Sequence, residues 1–97
     1  MKLNQMMQQA RALQDKLKLK LEEIRVEASA GGGMVTVKMN GNKTVTEIEI
    51  DPEVVDKDDV QMLQDLVIAA VNEASRKVDE AVQREIGALA GGIPGLF

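Results

Sequence analysis

Met34-Val-Thr-Val-Lys-Met-Asn-Gly-Asn-Lys-Thr-Val-Thr-Glu-Ile-Glu-Ile50 is the stretch on which the fold turns. Val35, Val37 and Met39 alternate with Thr36 and Lys38, which gives an extended strand one apolar and one polar face. Ile48 and Ile50 alternate with Glu47 and Glu49 in the same way. Asn40-Gly41-Asn42, between the two runs, are residue types that accept positive φ, so they are expected to close a tight hairpin. Gly31-Gly32-Gly33 and Asp51-Pro52 punctuate its ends. Val45 falls out of phase with Ile48 and Ile50. Either it covers the other face near the turn, or a bulge resets the register there.

Working outward, residues 3–23 read as a first helix. Leu3, Met6, Ala10, Leu13, Leu17 and Ile24 recur at steps of three and four, a heptad-like stripe with Lys20 at the next expected apolar place. Ile24, Val26 and Ala28 then change to period two, a first strand through about Ala30. On the other side, residues 53–57 form a connector with one apolar step, Val54-Val55. Asp58 or Asp59 is expected to cap a second long helix, whose apolar stripe runs from Val60 and Leu63 through Leu66, Ala70, Ala74 and Val78 to Val82. That helix should end near Ala88 or Ala90, stopped by Gly91-Gly92. The order implies an α+β protein, α-β-β-β-α, with a three-stranded antiparallel sheet and two long helices. One domain is expected over residues 1–90, with a short flexible apolar tail over 91–97.

Composition narrows the chemistry. The 97 residues contain no Cys and no His, and Phe97 is the single aromatic. Thiolate chemistry, zinc-thiolate sites and His-based catalysis are therefore excluded, and Ser29 and Ser75 have no imidazole to activate them. The triple glycine lacks the Lys-Ser/Thr of a phosphate-binding loop, and Asp56, Asp58 and Asp59 lack the Gly and distal Glu of a calcium loop. No apolar run is long enough to span a membrane, and the first residues contain no apolar signal core. The expectation is a cytoplasmic protein that is not an enzyme, with no cofactor, metal or small-molecule substrate.

Charge is distributed unevenly. Residues 1–25 carry Lys2, Arg11, Lys16, Lys18, Lys20 and Arg25 against Asp15, Glu22 and Glu23, a net +3, and the remaining six basic and thirteen acidic side chains give −7. A basic first segment on an acidic body suits a polyanion contact at one end of the molecule. The scarcity of aromatics argues against stacking on single-stranded bases, so phosphate contact with duplex DNA, with little base readout, is the expected mode. The candidate DNA-binding residues are Lys2, Arg11, Lys16, Lys18, Lys20 and Arg25. Arg76, Lys77 and Arg84 rank second, because acidic neighbours partly cancel them. Two helices of this length overhang a small sheet and leave Met, Leu and Ala stripes in water. A homodimer would bury them by joining the overhangs or the sheet edges, whereas a monomer would need the first helix to fold back on the second.

The chain resembles the YbaB/EbfC family of bacterial nucleoid-associated proteins over nearly its whole length. The likeness is carried by Met34-Val-Thr-Val-Lys-Met-Asn-Gly41, Ile48-Glu-Ile-Asp-Pro52 and Leu63-Gln-Asp-Leu-Val-Ile-Ala-Ala-Val-Asn-Glu-Ala74, behind a Met/Gln/Lys-rich first helix. The resemblance implies an α-β-β-β-α homodimer of tweezer-like outline. It further implies binding to double-stranded DNA at the nucleoid and an influence on DNA organisation and gene expression. The alternative is a homodimeric protein-interaction scaffold that uses its exposed Met and Leu helix stripes.

Overall fold

The computed structural model describes residues 2–91. In chain order it contains α1 (Lys2–Glu23), β1 (Arg25–Ala30), β2 (Val35–Asn40), β3 (Val45–Ile50), a 3-10 turn (Pro52–Val54) and α2 (Val60–Gly91). The sheet is antiparallel in the order β1-β2-β3, so the α+β, α-β-β-β-α expectation holds. Helix α2 takes in Gly91, and the rest of the expected tail, residues 92–97, lies outside the described residues.

Cross-strand pairing shows which residues share the inner face. Ala28 faces Val37, and Val26 faces Met39, across the β1–β2 ladder; Val35 and Val37 face Ile50 and Ile48 across the next. Val45 pairs with Met39, while Glu47 pairs with Lys38, so Thr46 is the extra residue of a bulge. Of the two sequence alternatives the bulge is correct, and it returns Val45 to the apolar face. Ala28, Val35, Val37 and Met39 pack on Ala70, Ala74 and Val78 of α2, with Leu63, Leu66, Val67, Val71 and Val82 around them. The small residues Ala70 and Ala74 of α2 let the helix approach the sheet closely.

That single layer covers only part of the sheet. Helix α2 packs chiefly on β1 and β2, with at most marginal contact to β3, because a helix about 10–12 Å wide spans only two or so strands spaced about 4.8 Å apart. Ile48 and Ile50 therefore stay 43% and 38% exposed, although Val37 and Val35 opposite them are fully buried. The hairpin's apolar face is continuous, but among the described residues one strand of it is left partly open to solvent.

The hairpin tip differs from the expected turn. Positive φ falls not on Gly41 or Asn42 but on Lys43, at 62°. The Lys43 N–H donates to the Asn40 carbonyl at 3.0 Å, and Asn40 Oδ1 accepts from the amides of Asn42 and Thr44 at 2.9 and 3.1 Å. One turn followed by a left-handed residue is a common three-residue hairpin closure, and the Asn40 side chain stabilises it locally. Lys43 also reaches Asp79 of α2 at 2.8 Å, which ties the tip to the helix. A left-handed non-glycine residue costs about 1 kcal/mol or more, whereas an exposed ion pair contributes little. Lys43→Gly is accordingly expected to raise unfolding stability by about 1 kcal/mol in a urea titration.

Asp side chains organise the connector. Asp51 Oδ1 accepts from Glu53 N–H at 3.0 Å at the start of the 3-10 turn, and Asp56 Oδ1 accepts from Asp58 N–H at 2.9 Å. Asp59 Oδ1 accepts from Met62 N–H at 3.2 Å, so of the two expected caps it is Asp59 that begins α2. Among the described residues no group of acidic side chains is placed to hold a metal ion.

The outer face of the sheet is polar and internally paired. Lys38 Nζ lies 2.8 Å from Glu47 and 3.7 Å from Glu49, and the hydroxyls of Ser29 and Thr36 are 2.9 Å apart. The hydrogen bond and charge of Glu47 raise the Lys38 pKa, and Lys38 lowers that of Glu47; Arg76 likewise lowers Glu73. A lowered carboxylate contributes stability above its ordinary value of 4.5 and loses it as pH falls through the folded value. A raised lysine contributes below 10.5 and loses it as pH rises further. Since these pairs are exposed, the thermal midpoint is expected to be level from about pH 5 to 10 and to fall only modestly outside that window in calorimetric scans.

Candidate nucleic-acid interface

Helix α1 is built from good helix formers, with neither Gly nor Pro from residue 2 to residue 23. None of its residues is buried. At about 1.5 Å per residue it forms an arm roughly 33 Å long. It meets the body at one end, where Gly41 N–H donates to the Leu21 carbonyl at 3.0 Å. The long dimension of the molecule is 68 Å against 22 and 16 Å for the others. Asp79 of α2 sits at this same hairpin end, so the last turns of α2 also run beyond the sheet there.

The six candidate residues do not share one face. Successive residues of a helix are rotated by about 100°, which sets Lys2, Lys16 and Lys20 in one line and Arg11 and Lys18 in another on the opposite side of α1. The stripe of Leu3, Met6, Ala10, Leu13 and Leu17 lies between the two lines on one side. On the other lie Asn4, Gln8, Asp15 and Glu22. Among the described residues, Arg11, Lys16, Lys18 and Lys20 form no ion pair. Residues 2–14 contain no acidic side chain, so the outer half of the arm is wholly neutral or positive.

Arg25 occupies a different place. It opens β1, and its guanidinium NH1 donates to the carbonyl of Glu22 and, at 2.9 Å, to that of Ile24. It therefore caps the C-terminal end of α1, a position favourable for a cation. Charge counting alone did not reveal this role, although a basic residue just past a helix end is a legible signal for it.

The second-rank cations are largely occupied. Arg76 Nε donates to Glu73 at 3.1 Å, its NH1 pairs with Glu80, and Glu73 holds the guanidinium charged. Lys77 Nζ donates to the Glu27 carbonyl at 2.7 Å, along the outer edge of β1. Arg84 is exposed. A shallow recess of about 490 Å³ on the sheet's outer face is lined by Arg25, Val26, Glu27, Lys38, Thr46 and Glu47, but its central lysine is already paired with Glu47. The unpaired basic surface among the described residues is thus concentrated on α1.

The family model of the YbaB/EbfC DNA-binding family matches residues 1–93. The chain belongs to that family. A nucleoid-associated protein of Alkaliphilus metalliredigens is 56% identical, over 98% of this chain and 88% of its own length. One of Acetivibrio thermocellus is 54% identical, over 98% and 89%, and one of Chloroflexus aurantiacus is 48% identical over the whole of both chains. The crystal structure of an uncharacterised Helicobacter pylori protein superposes with a TM-score of 0.75, at 22% identity, over 90% of this chain and 91% of that one. That likeness shows that the two chains share a fold. Membership places the protein in a DNA-binding rather than an enzyme family. No helix among the described residues is long and apolar enough to cross a membrane.

Proposed function

We propose that the protein binds duplex DNA as a homodimer, mainly through phosphate contacts made by α1, and so influences DNA organisation and gene expression at the nucleoid in the cytoplasm. The observation that carries this reading is the exposure of α1: a 22-residue helix with no buried residue and unpaired cations on two opposite flanks. A helix of this width fits a major groove about 12 Å wide, and lines of cations on both flanks suit phosphates on both sides. The family's DNA-binding description and the relatives' names support the same partner.

Two features support self-association. The apolar residues of β3 are uncovered, and so are Leu3, Met6, Met7 and Leu13 of α1. The sheet's two edges also differ, since Lys77 occupies a carbonyl of β1 whereas α2 packs chiefly on β1 and β2 rather than on β3. An uncovered apolar edge strand is an invitation to pair, and a second copy offers both surfaces by symmetry. The exposed Met and Leu stripe also fits an adaptable protein-binding surface, the second reading.

Gel-shift titrations of a duplex across a salt series test the proposal. If a dimer neutralises roughly six phosphates, log K should fall against log salt with a slope of about −5. Absence of any shift at low salt would overturn it.

A further inference from the structure

The direction of α1 depends on a joint at its C-terminal end, and one glycine makes that joint possible. A Cβ built on Gly41 would lie 2.3 Å from the Leu21 carbonyl oxygen and 2.9 Å from both the Leu21 carbonyl carbon and its Cα. All three are backbone atoms, so no side-chain rotamer could make room. Gly41 is not among the residues with positive φ, so the turn itself does not demand glycine there. The close approach of α1 does.

The rest of the joint lies within the same few residues. Ile24 N–H donates to the Lys20 carbonyl at 3.2 Å, and Arg25 caps Glu22 and Ile24. Because only Leu17, Lys20 and Leu21, in its last two turns, are half-buried and residues 2–16 are all exposed, no core contact further out would hold its direction if the joint moved. We infer that Gly41 is a positioning residue for DNA binding: its missing side chain lets the hairpin backbone hold the end of α1 and so aims the basic arm. The inference rests on the reading of α1 as the DNA-contacting helix.

The lever is long. Relief of the clash to an ordinary C···O distance of about 3.3 Å needs a retreat of roughly 1 Å. Taken up across one helical turn of about 5.4 Å, that tilts α1 by about 10° and moves its far end by about 6 Å. With two arms displaced, the change in span approaches the major-groove width of about 12 Å.

The test uses the full chain with Gly41→Ala, and Arg25→Lys as a second variant that keeps the charge but lacks the guanidinium NH1 that donates to both carbonyls. Because the chain has no cysteine, Gln9→Cys on the arm and Asp65→Cys on α2 can carry spin labels, with labelled chain diluted in unlabelled chain. The background should show one narrow arm-to-body distance distribution. Both variants should shift or broaden it, and both should weaken duplex binding about 10-fold or more at low salt, because misaimed arms no longer engage together. A role confined to stability would lower the unfolding midpoint and leave the distances and affinity of the folded fraction unchanged, which overturns the inference. A broad distribution in the background overturns it also. Absence of DNA binding in the unsubstituted protein would instead remove the reading on which the inference rests.

Discussion

Replacement of Lys16, Lys18 and Lys20 together by Gln is expected to weaken duplex binding about 10²-fold near 0.1 M salt, by similar factors for all sequences. The three residues lie on α1, two exposed and Lys20 half-buried, and none is paired within the described chain. Each phosphate contact releases condensed counterions, so losing half the candidate cations should reduce the log K–log salt slope from about −5 to about −2.5. The substitutions preserve helix-forming character and disturb no buried contact. Circular dichroism should therefore match the unsubstituted protein. The pair of numbers is diagnostic: affinity and slope must fall together. Unchanged affinity and slope would move the function to the exposed apolar stripe and the scaffold reading, under which these lysines only solvate the helix.

The second large effect concerns β3. Ile48→Asp combined with Ile50→Asp should leave a folded chain whose sedimentation mass at low micromolar concentration is half that of the unsubstituted protein. The two side chains sit on the core face of the sheet, beyond the edge of α2, and are exposed within one chain. In an isolated chain an aspartate there keeps access to water, and its cost is strand propensity of about 1 kcal/mol plus the partial apolar burial of the isoleucine it replaces, about 1–2 kcal/mol. Against a second copy the same carboxylates would be desolvated without partners, which is strongly unfavourable. DNA affinity should fall by about 10²-fold or more as well, since linked arms bind with an effective concentration that single arms lack. A stable monomer of the unsubstituted chain at low micromolar concentration would refute the dimer directly.

Elements whose cause is local were legible in the residues. Alternation of Val35, Val37 and Met39 with polar neighbours marks a strand because side chains alternate across a pleat, and these three are buried as that pattern requires. Asp59 at the start of α2 and the left-handed glycines 31–33 follow from capping and backbone freedom, both properties of a few consecutive residues. The concentration of basic side chains in residues 1–25 was equally plain. Their arrangement into two opposite lines follows once the helix is granted, but charge counting does not show it. Counting charges missed Arg25 acting as a cap rather than lying free beside the others, although its place just past the helix end was a legible signal.

The sequence by itself determined the order of elements, the apolar face of each and the location of the basic segment, since periodicity and charge are written along the chain. Tertiary structure decided coverage and aim. A single helix is wide enough to bury about two strands, so β1 and β2 share the core with α2 while β3 keeps its isoleucines at the surface. Gly41 reads in sequence as a turn former, yet Lys43 takes the left-handed conformation and Gly41 admits the Leu21 carbonyl. Neither outcome can be seen from neighbouring residues, because each depends on how closely two segments distant in the chain approach one another.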